Sequence, residues 1–200
     1  MQIRTLFWDV GGVLLTNAWD HEERARAVER FGLQKDEFES RHKETVADFE
    51  RGILTLDQYV ERTVFYQPRK FSRDEFKSFM LSLSKPKPGV LELARSLATR
   101  CLMATINNES RELNEYRIRT FELSQIFDLF ISSCYVGIRK PDERIYRLAL
   151  DLLQKSPAEC CFIDDRPLNV EAAAKVGMRT VLVQNPAQLK TDLEKLGVTA

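Results

Sequence analysis

Residues Ile3 to Trp8 form a short β-favouring run that stops at an acid, Asp9, and Gly11-Gly12 follows before Val13, Leu14 and Leu15. A run without polar alternation predicts a strand buried on both faces, and paired glycines after it predict a sharp turn. From about Asn17 to Leu83 the pattern becomes helical, in four segments with no strand. The first carries Ala27, Val28 and Phe31 and stops at Gly32; the second carries Phe38, Val46 and Phe49 and stops at Gly52. Thr55-x-x-Gln58 and Ser72-x-x-Glu75 predict capping boxes at the start of the third and fourth.

Lys85-Pro86-Lys87-Pro88-Gly89 interrupts any helix, and beyond it helix and strand alternate. Extended runs are predicted at Leu102–Ile106, Leu129–Ser132, Cys161–Ile163 and Thr180–Val183. Helices are predicted at Val90–Ala98, Arg111–Phe121, Glu143–Leu153, Leu168–Val176 and Ala187–Leu196. Short apolar strands between amphipathic helices imply an α/β fold, a doubly wound parallel sheet covered on both faces with the Asp9 strand central. Residues 1–16 and 86–200 would form this Rossmann-like core, and residues 17–85 a small helical cap inserted after the first strand.

Composition narrows the function. A chain of 200 residues, 44% hydrophobic and 30% charged, reads as globular and large enough to bury a core. Its 30 basic and 30 acidic side chains cancel, so no overall field draws it to nucleic acid or an anionic membrane. No apolar run is long enough to span a bilayer, and Asp9 breaks the first apolar stretch with no small-residue cleavage site after it, against a signal peptide. Cys101, Cys134, Cys160 and Cys161 form no C-x-x-C pair and lie far from His21 and His42, against zinc. Adjacent Cys160 and Cys161 read as core thiols of a reduced, cytoplasmic protein. A monomer and a homodimer fit equally well.

In an open parallel sheet ligands bind beyond the carboxyl ends of the strands. There the chain places Asp9, then Asn107-Asn108, then Ser132-Ser133 with Lys140, then Asp164-Asp165. Three carboxylates converging on one edge repel, and one lysine does not balance them. Magnesium takes oxygen ligands from carboxylates, a carbonyl and water and leaves room for a phosphoryl group. Asp9, Asp164, Asp165 and the Gly11 carbonyl are its candidate ligands.

Phe7-Trp8-Asp9-Val10-Gly11-Gly12-Val13-Leu14 resembles the first motif of the haloacid dehalogenase superfamily. Ile106-Asn107-Asn108 lies at the place of the second, Gly137-Ile138-Arg139-Lys140-Pro141-Asp142 looks like the lysine motif, and the run from Phe162 to Ala173 looks like the acidic motif of the capped, phosphatase-like subgroup. The four occur in the family's order. The resemblance implies that Asp9 is a covalent nucleophile steadied by Lys140, that Asp164 and Asp165 hold magnesium with Asp9 and Gly11, and that Asn107 and Asn108 contact phosphoryl oxygens. It implies a Mg²⁺-dependent phosphatase acting on a small phosphorylated metabolite through an aspartyl-phosphate.

Two positions depart from the family. Gly11 stands where its phosphatases carry a second aspartate, the general acid, and Asn107 stands where Ser or Thr is usual. A departing halide needs no proton, so a metal-independent 2-haloacid dehalogenase is an alternative, although the Asp164-Asp165 pair favours metal. A catalytically weak member that binds a phosphorylated ligand or a protein is another. Near the site, Asn17 or Asp20 reads as a helix cap, Trp19 as core, Ser110 as an N-cap, and Arg139 and Arg166 as structural ion pairs. The aromatic residues of the cap read as its packing surface.

Overall fold

The computed structural model describes residues 2–199. Among these, five strands form one parallel sheet: β1 (Thr5–Trp8), β2 (Leu102–Asn107), β3 (Leu129–Ser132), β4 (Cys160–Asp164) and β5 (Arg179–Leu182), in the order β3-β2-β1-β4-β5. Between β1 and β2 lie α1 (His21–Phe31), α2 (Lys35–Glu50), α3 (Leu56–Thr63), α4 (Arg73–Ser82) and α5 (Val90–Leu97). The later helices are α6 (Arg111–Thr120), α7 (Ser133–Val136), α8 (Glu143–Leu153), α9 (Pro167–Lys175) and α10 (Pro186–Lys195).

The strands alternate between two apolar layers. Leu6, Trp8, Met103, Cys161 and Ile163 face α5 and α10, whereas Phe7, Ala104, Ile106, Cys160 and Phe162 face α8 and α9. The neighbouring thiols thus enter opposite layers, and burial pushes Cys160 up to about 11 and Cys161 up to about 12, so both stay protonated core groups. Helices α1 to α4 enclose a separate apolar cluster around Phe38, Phe49, Tyr59, Val60, Phe76 and Met80.

Two linkers join the four helices to the sheet, and they are tied together. Thr16 N–H donates to the Lys85 carbonyl (2.8 Å), Thr16 Oγ1 donates to the Leu83 carbonyl (2.8 Å), and Lys85 N–H donates back to Thr16 Oγ1 (3.0 Å). Thr55 and Gln58 form the reciprocal capping box. At α4 only half of the expected box forms, since Ser72 accepts from Glu75 N–H with no return bond, and Ser110 makes no side-chain cap, its hydroxyl (3.4 Å) and its N–H (2.9 Å) both donating to Glu109 Oε1. The run beginning at Ile3 enters the ladder only at Thr5, and the one-turn α7 after Ser132 adds an element that the pattern of apolar residues did not predict.

Candidate active site

Parallel register sets Trp8 beside Thr105 and Ile163, so the chain leaves β1, β2 and β4 along one edge. Asp9 N–H donates to the Ile163 carbonyl (2.9 Å), which fixes the acid against β4. Asp9 Oδ1 accepts from Val10 N–H (2.8 Å) and pairs with Lys140 Nζ (2.8 Å). Asp9 Oδ2 accepts no hydrogen bond among the described residues. Asn108 holds the lysine by its backbone: Asn108 Oδ1 accepts from Lys140 N–H (2.7 Å), and Asn108 Nδ2 donates to the Lys140 carbonyl (2.9 Å). Lys140 Nζ also donates to Asp164 Oδ2 (2.6 Å), and Asp164 Oδ1 accepts from Arg166 N–H (2.8 Å) and Asn169 Nδ2 (3.1 Å).

Burial pushes Asp9 up to about 7, with Lys140 opposing and Asp164 and Asp165 reinforcing the rise. Burial and the neighbouring Asp164 likewise raise Asp165. For Lys140 burial disfavours the charge, but Asp9 and Asp164 outweigh it and the pKa is raised. Lys140 thus pairs with two of three acids whose oxygens lie within 4.8 Å of one another, and Arg166 and Lys87 pull on the third, Asp165, without cancelling its rise. Asp165 Oδ1 is buried with no hydrogen-bond partner among the described residues. An orphaned carboxylate oxygen in an all-oxygen cluster is a fit for a hard divalent cation such as Mg²⁺. Gly12 makes room for this acid: its φ is 83°, and a Cβ built on it would lie 2.1 Å from Asp165 Oδ2.

A cavity of about 510 Å³ opens over Asp9, Gly11 and Lys140, roofed by Trp19, His42, Val46 and Phe49 of the helical insert. Arg139 and Arg166 stand at its walls, each in an ion pair with the insert: Arg139 with Glu50 (2.6 Å) and Arg166 with Asp20 (2.9 Å). Asp20 also caps α1 through His21 N–H (2.9 Å), while the Trp19 indole N–H donates to the Tyr59 hydroxyl (2.8 Å).

The two asparagines part company. Asn108 lines the cavity, with its amide committed to Lys140. Asn107 is the last residue of β2 and lies in register with Ser132; its Oδ1 accepts from Ser132 Oγ (2.8 Å), its Nδ2 donates to Asn114 Oδ1 (3.2 Å), and it does not line the cavity.

Sequence reasoning missed Arg117. This buried guanidinium pairs with Glu109 (2.8 Å) and donates to the Ser84 hydroxyl (3.1 Å), the Thr16 carbonyl (2.9 Å) and the Asn17 carbonyl (2.7 Å), touching both linkers at once. Glu109 is likewise more than a helix start: burial pushes it up to about 7 against the pull of Arg117. The available signal was Arg117 falling on the helical repeat of Leu113 and Asn114, the buried face of α6.

A carboxylate with one free oxygen, held by a lysine at the carboxyl edge of a parallel sheet and covered by a helical roof, is an arrangement in which an acid can act as a nucleophile. A family model for haloacid dehalogenase-like hydrolases matches residues 3–177. The bifunctional epoxide hydrolase 2 of Sus scrofa is 30% identical over 98% of this chain, which spans only 39% of that relative's length. The flavin mononucleotide hydrolase 1 of Arabidopsis thaliana is 30% identical over 84% of this chain and 69% of its own. A haloacid dehalogenase family enzyme of Bacteroides thetaiotaomicron superposes with a TM-score of 0.81 at 19% identity, over 92% of this chain and 95% of that one. Dehalogenases as well as phosphatases stand among the relatives. The chain belongs to the haloacid dehalogenase-like hydrolases.

Proposed function

We propose that the chain is a magnesium-dependent phosphatase of small phosphorylated metabolites, with Asp9 as nucleophile. The observation that carries the reading is the state of Asp9, one oxygen held by Lys140 and the Val10 N–H and the other left free beneath the cavity. Asp9 Oδ2 attacks phosphorus, the ester oxygen leaves with its bonding pair, and an aspartyl-phosphate forms; water then releases inorganic phosphate and restores Asp9. Lys140 orients the nucleophile and offsets charge on the transferring group. Asp164 acts through its partners: Asn169 and the Arg166 N–H fix it, and it fixes Lys140.

Asp9, Asp164, Asp165 and the Gly11 carbonyl would hold the ion, which when bound supplies positive charge to the phosphoryl oxygens and keeps Asp9 ionised. A related Bacteroides thetaiotaomicron enzyme has been crystallised with magnesium and inorganic phosphate, which supports the choice. Gly11 brings no carboxyl to protonate the leaving group, a contribution of roughly 10²–10⁴-fold elsewhere, so esters of readily departing alcohols are the favoured substrates. The free thiols fit a reducing compartment such as the cytoplasm, and no described helix is long and apolar enough to cross a membrane.

Gly11 also favours a second reading, displacement of halide from a 2-haloacid, because that leaving group needs no proton. A panel of phosphate esters assayed with Mg²⁺ and with EDTA, beside chloride release from 2-chloropropionate, separates the two. Phosphate release that needs Mg²⁺ and disappears in Asp9→Asn is expected. Turnover that survives EDTA, or chloride release, would sink the phosphatase; a ligand that stabilises the fold with no turnover would mark a binding protein.

A further inference from the structure

The roof of the cavity carries a polar group for which the chemistry at Asp9 has no use. His42 lies on α2 in the buried stripe Phe38, His42, Thr45 and Phe49; it is 8% exposed and lines the cavity. Its Nδ1 is 2.8 Å from the Tyr59 hydroxyl, which already accepts from the Trp19 indole at 2.8 Å. An indole N–H only donates. Were His42 Nδ1 a donor too, the Tyr59 proton would lose the one acceptor that the described residues place at 2.8 Å, a costly state for a side chain with no exposed surface. Tyr59 therefore donates to Nδ1, and the imidazole proton resides on Nε2. Among the described residues Nε2 has no hydrogen-bond partner. Burial pushes His42 down to about 4, with the charge of Arg24 acting in the same direction, so the ring stays neutral and keeps that one proton. Arg24, which also lines the cavity, turns its Nε–H and one N–H of each terminal nitrogen to Glu39 and the Trp19 carbonyl.

We infer that His42 determines specificity, its Nε2–H donating to a carbonyl or carboxylate oxygen on the leaving-group end of the substrate. The placement rests on the phosphatase reading, which puts the phosphoryl end at Asp9. The favoured substrate class is thus a phosphate ester whose alcohol portion has a flat or apolar body, lying against Phe49 and Val46, and an acceptor oxygen at its far end. An ester without that oxygen leaves the N–H unpaired in a half-dry pocket and is discriminated against.

Inert phosphonates test this without turnover. Dissociation constants are measured with Mg²⁺ for phenylphosphonate and the three isomeric phosphonobenzoates. At least one phosphonobenzoate is expected to bind about 10-fold more tightly than phenylphosphonate. His42→Phe should erase the preference while changing phenylphosphonate by no more than about 2-fold, and His42→Gln, which keeps a donor, should retain part of it. Long-range ¹⁵N NMR should find His42 in the Nε2–H form, released in Tyr59→Phe. Equal binding of all four compounds, a preference that survives His42→Phe, or an Nδ1–H tautomer overturns the assignment. A preference without hydrolysis of any phosphate ester would leave the donor standing and remove the phosphatase.

Discussion

A Cβ placed on Gly11 would stand 3.2 Å from Nη1 of Arg117, so the room that a side chain at position 11 would enter is bordered by a buried cation. The glycine and the arginine are complementary: the chain carries no carboxyl two residues after Asp9, and a guanidinium bound to both linkers lies against the space one would enter. In Gly11→Asp the new carboxylate would be captured by Arg117 and held ionised. Its gain in kcat should fall well below the roughly 10²–10⁴-fold of a positioned general acid. Steady-state assay of one phosphate ester checks this, and a hundredfold gain would show the acid working despite Arg117.

Removing Arg117 leaves Glu109 buried and unpaired. Arg117→Met should cost about 3–5 kcal/mol in urea unfolding, whereas Arg117→Met combined with Glu109→Gln should cost less than the sum of the single changes. Strict additivity would mean that the two side chains do not act as a pair.

Gly12 reports on the proposed metal site. Gly12→Ala forces an L side chain to φ 83° and pushes on Asp165 Oδ2. The rise in melting temperature produced by Mg²⁺ in the parent should shrink in the variant, with about 10-fold or greater loss of Mg²⁺ affinity. An undiminished shift would exclude Asp165 from the ion's surroundings.

His42 gives a pH signature in stability. Its pKa falls from 6.5 to about 4 on folding, through burial first and Arg24 second, with Glu39 and Asp20 opposing. Between those values the unfolded chain binds the extra proton, so the contribution is complete above pH 6.5 and is lost as pH falls through about 4. The loss is on the order of 3 kcal/mol, read as the difference in unfolding free energy between parent and His42→Gln from pH 7 to pH 4. Parallel curves for the two proteins would contradict the depressed pKa.

The sheet and its acids were legible because they are local: apolar runs mark the strands, and Asp9, Lys140 and Asp164 follow or interrupt such runs. Asn107 was harder to place, since the strand extends through it and its side chain turns to Ser132 within the sheet. The bond of Arg117 to Thr16, Asn17 and Ser84 joins segments far apart in the chain and leaves no spacing to read. His42 lay in plain view on the buried stripe of α2, but its tautomer follows only from Tyr59 and Trp19 arriving on the same oxygen.

The strand order has a consequence for biosynthesis. β1 is central, yet its two neighbours are β2, which pairs from Leu102, and β4, which pairs from Cys160, so it emerges from the ribosome long before either flank. The four insert helices, contiguous and with an apolar cluster of their own, are able to collapse in the meantime. Asp9 gains Lys140 and Asp164 only after most of the chain has been made, which leaves this acid of the nascent polypeptide without its partners until the sheet is nearly whole.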